Sequence, residues 1–189
     1  MSELQSPPES VTTVGATRAA WLATAIGIPI YAATALILAY LAGPLVSALA
    51  PGEVGEEQGW VFLGVAFVNV SIALLGIALI SHTVGRVLFA RTRTASPMSG
   101  GIAFAIMGAS LAIVPVVFIA TGQPLHVVGG LYAAIAVGIP CGVTAGVTRA
   151  VLPGVLASRS ATRTAVWVGV VAYGVVIAWT AVVLFGLGR

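Results

Sequence analysis

Long apolar stretches alternate with short polar connectors along the whole chain. Five of these stretches are free of charged residues and histidine, and each has about the 20 residues that a helix needs to cross some 30 Å of hydrocarbon. They cover residues 19–41, 60–81, 101–122, 127–148 and 164–186. The pattern predicts an all-α integral membrane protein, a bundle of five transmembrane helices, whose single polytopic domain comprises residues 19–189.

Arginine is concentrated on one side of this predicted bundle. Arg18 precedes the first span, and six further arginines lie in the second and fourth connectors, whereas Arg189 alone is on the other side. Those six are predicted to be cytoplasmic anchors: Arg86, Arg91, Arg93, Arg149, Arg159 and Arg163. Short loops rich in arginine stay in the cytoplasm, so we expect a cytoplasmic N-terminus and an external C-terminus.

The segment before the first span has the composition of a disordered tail. Residues 1–18 contain Pro7, Pro8, several Ser and Thr and few large apolar side chains. The following apolar stretch is longer than the core of a signal peptide, and the tail carries Glu3 and Glu9. We therefore expect a disordered cytoplasmic tail over residues 1–18 and a first helix that is retained.

Composition excludes several classes of protein. Hydrophobic residues make up 59% of the chain and charged residues 7%, against about 25% charged residues in a soluble domain. The net charge of +3 does not indicate nucleic-acid binding, because the arginines are spread over separate loops without interleaved aromatic residues. A chain rich in Ala, Gly, Val and Arg but without Lys is typical of GC-rich bacterial genomes, so we expect the cytoplasmic membrane of a bacterium.

Small residues indicate how the helices pack. In the fourth span they recur every four residues, at Gly130, Ala134, Gly138, Gly142, Gly146 and Ala150. The third span carries a shorter stripe, Gly101, Ala105 and Ala109. Helices in lipid associate through close backbone approach at small residues, which predicts the fourth span as the central packing helix. A pore lined by the glycines is the functional alternative.

Prolines interrupt three of the predicted spans. Pro29, Pro115 and Pro140 each remove one backbone hydrogen bond, which tends to kink a helix. The tripeptide Gly-Ile-Pro occurs at residues 27–29 and again at 138–140, in spans of opposite direction. This pattern is compatible with an inverted repeat, and kinked helices line the binding sites of many transporters.

Five polar residues are predicted to lie within about one helical turn of the bilayer midplane: Tyr31, Asn69, Ser71, Ser110 and Tyr173. Polar groups at this depth must find partners. Hydrogen bonds between helices are one interpretation of this candidate polar cluster. The other is a binding site for a neutral polar solute or a lipid-like ligand.

Residues for catalysis or metal binding are sparse. Cys141 is the single cysteine, and His82 and His126 lie at opposite ends of the predicted bundle, so neither a metal site nor a cofactor is expected. Phosphate-binding loops and hydrolase motifs are absent from the sequence. A membrane-embedded enzyme that uses Glu56 or Glu57 with His126 is the remaining catalytic alternative.

These observations favour a non-catalytic accessory or assembly component of a membrane complex. Its expected partners are the lipid bilayer, with anionic lipids at the arginines, and either another membrane protein or a second copy of the chain. The alternative is a small permease or facilitator subunit for a neutral or hydrophobic solute, which the polar cluster and the prolines suggest.

The predicted topology places Arg91 and Arg159 on the same face of the membrane. In a Cys141→Ser background, Arg91→Cys and Arg159→Cys should both react with an impermeant maleimide only in inside-out vesicles. Arg189→Cys is the control and should react only from the opposite face. Labelling of the first two positions from different faces would contradict the arrangement.

Overall fold

The computed structural model describes residues 9–49, 70–92, 95–121 and 126–186, and nearly all of them are helical. In chain order the helices are α1 (Glu9–Leu49), α2 (Val70–His82), α3 (Val84–Arg91), α4 (Pro97–Leu111), α5 (Ile113–Thr121), α6 (His126–Ala133), a π-helical turn (Ala134–Gly138), α7 (Ile139–Ala157) and α8 (Arg159–Gly186). The predicted all-α class is confirmed for this part of the chain.

Four helical segments are long and apolar enough to cross a membrane: Gly15–Leu45, Pro97–Val117, Gly129–Ala157 and Arg159–Val182. Helices α2 and α3 meet the same requirement only as a pair, which is bent by 46°. The described residues therefore contain four candidate spans, or five if the bent pair counts as one. Residues 60–69 of the second predicted span lie outside the described residues.

The bend between α2 and α3 has a local cause at Thr83. Its Oγ1 donates a hydrogen bond to the Leu79 carbonyl oxygen at 2.8 Å, a contact that distorts helices. A Cβ atom added to Gly85 would lie 3.0 Å from the Ile80 carbonyl oxygen. A residue without a side chain therefore suits the close approach at the bend.

Helix α1 is longer than the first predicted span and begins at Glu9, within the segment expected to be disordered. Once a helix has formed, each further residue adds a hydrogen bond without a new nucleation cost. Residues 9–18 therefore continue the helix, while residues 1–8 lie outside the described residues.

The fourth predicted span is a composite of α6, the π-helical turn and α7, and it runs to Ala157 rather than stopping at residue 148. The N–H of Ile139 donates to the carbonyl of Ala134, five residues earlier, as in a π-helix. Pro140 follows immediately and cannot donate a hydrogen bond. The widened turn thus accommodates the proline ring that the sequence places inside the span.

Helices α4 and α7 pack together through the two stripes of small residues. A Cβ on Gly142 would lie 3.3 Å from the Ala105 carbonyl oxygen and 3.5 Å from the Ala109 Cβ. A Cβ on Gly101 would lie 3.2 Å from the Gly146 carbonyl oxygen. At such distances larger side chains would not fit, and the two backbones are in direct contact.

Helix α7 shares the centre of the bundle with α1, which packs against both α7 and α8. The tightest contact of α1 is with Gly169 of α8, where an added Cβ would lie 2.6 Å from the Ala25 carbonyl oxygen. The sequence indicated the central role of the fourth span but gave no comparable signal for α1.

Two buried apolar clusters lie at different levels along α1. The tyrosine cluster contains Ile28, Tyr31, Ala32, Ala35, Val70, Leu74 and Val176. The second contains Ala19, Leu22, Ile26 and Leu152, with Phe89, Val155, Leu156 and Ala165 packed against it. Its residues are close in sequence to Arg18, Arg86, Arg91, Arg149 and Arg163, and we call this region the arginine end of the bundle.

The contact between α4 and α7 predicts the effect of Gly142→Leu. The added side chain must separate the two backbones, which should lower the free energy of unfolding by about 1–3 kcal/mol. Unfolding by titration with dodecyl sulfate in mixed micelles measures this change.

Gly154→Leu is the matched control, because Gly154 lies on the same helix and an added Cβ there meets no atom within 4 Å. Equal stability of the two variants would contradict the packing argument.

Candidate functional site

A cavity of about 310 Å³, partly open to the outside of the bundle, lies between α1, α2, α4 and α7. Residues of α1 line it from Ala16 at the arginine end to Tyr31 in the tyrosine cluster. Residues of α7 and the preceding turn line it from Leu152 to Val137. The cavity therefore extends along the helices and connects the arginine end to the middle of the bundle.

The cavity forms because α2 and α4 are held by different neighbours. Val70 and Leu74 of α2 pack against α1 and α8 in the tyrosine cluster, while α4 is drawn onto α7. Small residues on the intervening face of α1, including Ala20, Ala23 and Gly27, do not fill the space between them. Large apolar side chains such as Phe104 contribute the rest of the wall, which makes the cavity mainly apolar.

Within the described residues, two buried hydroxyl groups of the cavity wall have no hydrogen-bond partner, those of Thr144 and Thr148. The hydroxyl of a third buried wall residue, Tyr31, lies against the Cys141 thiol. All three residues are buried. Elsewhere the bundle satisfies such groups internally, since Thr24 and Thr34 donate to carbonyl oxygens four residues earlier, at 3.0 and 2.7 Å. The unpartnered hydroxyls therefore belong to residues of the cavity wall, but their oxygen atoms are themselves covered by neighbouring atoms.

Helix geometry places the two threonines on the same face of α7. Cys141, Thr144 and Thr148 are three and four residues apart, so they share one face of α7. That face meets Gly27 of α1, where an added Cβ would lie 3.5 Å from the Thr144 methyl group and 3.6 Å from the Thr148 hydroxyl. Glycine at this position therefore lets α1 approach the threonine face of α7 closely.

Arg86 lines the cavity at the arginine end, together with Ser81 and Phe89. Its side chain is half-buried. Within the part of the chain that the structure describes, Arg86 forms no ion pair, and Glu9 is the one acidic residue there. An arginine beside an apolar cavity without a carboxylate partner favours the binding of an anion.

Arg149 has a structural role that the sequence did not reveal. It was expected in a cytoplasmic loop, but α7 continues through it and its side chain is only 3% exposed. Its Nη2 donates to the Thr92 carbonyl oxygen at 2.7 Å, and its guanidinium carbon lies 5.1 Å from the centre of the Phe89 ring. A Cβ on Gly100 would lie 3.1 Å from that carbon. Arg149 therefore joins α7 to α3 and to the start of α4.

The other predicted anchors are distributed differently. Arg91, Arg159 and Arg163 are exposed, as expected for anchors at a membrane surface. Arg86 instead contributes to the cavity wall, and Arg93 lies outside the described residues.

The five candidate polar residues do not converge on one site within the described ranges. Tyr31 is fully buried at the cavity. Ser71 forms a hydrogen bond of 2.7 Å with Thr180, which joins α2 to α8. Ser110 and Tyr173 are exposed on the outside of the bundle. Asn69 lies outside the described residues. Counting residues from span ends gives depth but not the direction of a side chain, which explains the difference.

The small-residue stripe of the fourth span is also divided. Gly142, Gly146 and Ala150 belong to the contact with α4. The remaining three, Gly130, Ala134 and Gly138, lie in α6 and the π-helical turn. Because the helix is interrupted at the π-helical turn, the six small residues do not form one continuous stripe against a single partner helix.

Thr144 and Thr148 were not among the residues selected from the sequence. The available signal was their spacing with Cys141 on one face of a helix, but threonine commonly bonds to its own helix.

His82 packs edge-on against Trp21 with ring centres 4.6 Å apart. Within the described ranges, no three His, Cys, Asp or Glu side chains come together as metal ligands.

Comparison of the chain with protein-family models, with curated proteins and with solved structures finds no match. The functional argument therefore depends on the geometry of the cavity and on the chemistry of its walls.

Arg149 should be required for stability. Arg149→Ala removes the hydrogen bond to Thr92, the contact with Phe89 and the packing of a long side chain, and should lower the free energy of unfolding by about 2–4 kcal/mol. Titration with dodecyl sulfate measures the difference.

Arg159→Ala is the control, since Arg159 is exposed on α8, and it should change stability by less than about 0.5 kcal/mol. A similar small change for Arg149→Ala would show that its contacts contribute little.

Proposed function

We propose that the protein is a small facilitator or permease subunit that binds a hydrophobic solute carrying oxygen groups in its central cavity. The observation that supports this function best is an apolar cavity whose wall includes Thr144 and Thr148, two buried side chains without a hydrogen-bond partner among the described residues. In an apolar environment such groups are costly without a partner. Because the two oxygen atoms are covered in the structure, a ligand oxygen removes this cost when rotation of the threonine side chains turns the hydroxyls into the cavity.

Helix breaks around the cavity favour transport over permanent storage of the ligand. Gly85 at the bend between α2 and α3 lines the cavity, as do Ala112 at the junction of α4 with α5, Pro115 of α5 and Val137 of the π-helical turn. Interrupted helices are the usual walls of transport sites because their halves can move separately. We therefore propose that these junctions open the cavity during passage of the solute.

The proposed location is the cytoplasmic membrane of a bacterium, with the N-terminus and the arginine end in the cytoplasm. The exposed side chains of Arg91, Arg159 and Arg163 support this orientation, since arginines near anionic head groups contribute about 1 kcal/mol each. In this arrangement the Arg86 end of the cavity is accessible from the cytoplasmic leaflet.

The accessory or assembly role remains a prediction from the sequence. Helix α8 presents exposed apolar residues such as Trp167, Val171 and Val175. Lipid tails and a partner helix would cover this face equally well, so the face does not select a partner. Purification in mild detergent, followed by identification of proteins that remain bound, tests this role directly.

The cavity proposal predicts that Thr144→Val combined with Thr148→Val weakens binding of an oxygenated apolar probe. A suitable neutral probe is the methyl ester of a hydroxystearate with its hydroxyl at mid-chain, radiolabelled and added to the protein in phosphatidylcholine nanodiscs. At about 1 kcal/mol per hydrogen bond, the double variant should bind roughly 30-fold more weakly. Flux in proteoliposomes should fall in parallel.

Thr34→Val is the matched control, because the Thr34 hydroxyl bonds within α1 and does not line the cavity. Its probe affinity should equal that of the unmodified protein. Absence of saturable binding, or equal binding by the double variant, would contradict the proposed function.

A further inference from the structure

The cavity opens toward one side of the bundle. Among the described residues of its wall, three are exposed: Ile72 of α2, Leu111 at the end of α4 and Pro115 of α5. Ile72 is 64% exposed and Leu111 40%. The wall residues that α1 and α7 contribute are all buried or half-buried. The rim of the opening therefore lies between α2 and the junction of α4 with α5.

This opening lies at the depth of the lipid hydrocarbon. Helix α4 begins with Pro97 at the arginine end and has 15 residues, which places Leu111 about 22 Å from that end. Ile72 precedes His82 by ten residues, about 15 Å along α2. The hydrocarbon core of a bilayer is about 30 Å thick. With the arginine end at one membrane surface, the opening therefore faces acyl chains near the middle of the bilayer.

The chemistry of the wall favours an apolar occupant over water. Phe104, Met107 and Ile77 contribute large apolar side chains, and the hydroxyl oxygens of Thr144 and Thr148 are covered. Buried water needs about two to four polar partners, which this wall does not present. A vacant apolar cavity also loses the dispersion contacts that a chain within it would make. The surrounding hydrocarbon supplies such a chain directly.

We propose that the cavity has a lateral entrance between α2 and the junction of α4 with α5, and that the distal part of a phospholipid acyl chain occupies the cavity through it. The head group stays in its own layer of the bilayer, because the chain terminus is the part that reaches the middle of the membrane. This inference goes beyond the proposed function, since it requires no transported solute. It makes exchange of the cavity's contents a process within the membrane, in which a solute competes with a lipid chain.

Photo-crosslinking with two phosphatidylcholines in nanodiscs tests this proposal. Each lipid carries a diazirine on one acyl chain, in the first near the chain terminus and in the second next to the carboxyl group. Mass spectrometry then maps the adducts to single residues. Cys141 is the internal reporter, because it is half-buried and lines the cavity. Ile106 of α4 is 63% exposed and does not line the cavity, so it reports ordinary lipid contact. The terminal diazirine should label both residues, and the diazirine near the carboxyl group should label Cys141 far less.

Gly76→Phe fills the cavity and provides the decisive variant. Gly76 lines the cavity, and an added Cβ there meets no atom within 4 Å. This variant should lose most of the Cys141 adduct and keep the Ile106 adduct. Gly174→Phe is the matched control, because an added Cβ at Gly174 also meets no atom within 4 Å and this residue does not line the cavity. It should keep both adducts. Thermal unfolding verifies that each variant is folded, and Gly76→Leu replaces Gly76→Phe if the larger ring prevents folding.

The outcomes separate this inference from the proposed function. Labelling of Ile106 without labelling of Cys141 would overturn the inference, and so would a Cys141 adduct that persists when the cavity is filled at Gly76. Equal labelling of Cys141 by the two lipids would overturn the entrance at the middle of the membrane. Lipid adducts on Cys141 without saturable binding of the ester probe would overturn the proposed function alone. Saturable ester binding without those adducts would overturn this inference alone.

Discussion

Helices that cross a bilayer must associate without the hydrophobic effect, because lipid tails are as apolar as the helix surfaces they cover. In this protein the helices associate through direct contact between their backbones. Gly142 and Gly101 bring α7 and α4 together, and Gly169 brings α8 against α1. Since dispersion forces act only at short range, these contacts depend on the absence of side chains, and the positions of all other groups follow from them.

The same preference for small residues creates the cavity. Where two helix faces lined by small residues meet, as between α4 and α7, the helices pack in close contact. Where the small face of α1 around Ala23 and Gly27 lies opposite helices that are held elsewhere, empty volume remains. Tight packing and an internal binding space are therefore two consequences of one composition, and the arrangement of neighbours decides which occurs.

Polar groups need hydrogen-bond partners within the protein, because no water is available in the hydrocarbon region to satisfy them. Thr24 bonds to its own helix, Ser71 bonds to Thr180 across a helix interface, and Arg149 bonds to the Thr92 carbonyl at the arginine end. Within the described residues, Thr144 and Thr148 follow none of these patterns. Their common position at one cavity is what distinguishes a binding interpretation from ordinary interhelical hydrogen bonding.

Sequence alone determined the helical membrane class and the small-residue faces of α4 and α7, because apolar length and residue size are local properties that a one-dimensional pattern records. The third, fourth and fifth predicted spans overlap helices that are long and apolar enough to cross a membrane, although hydropathy ended the fourth at residue 148, just before the charge of Arg149. Only the tertiary structure decided that Arg149 is buried against Phe89, that Ser110 and Tyr173 face outward, and that Thr144, Thr148 and Tyr31 share a cavity. The physical reason is that a side chain's direction and partners depend on which helices are neighbours, and hydropathy carries no information on that choice.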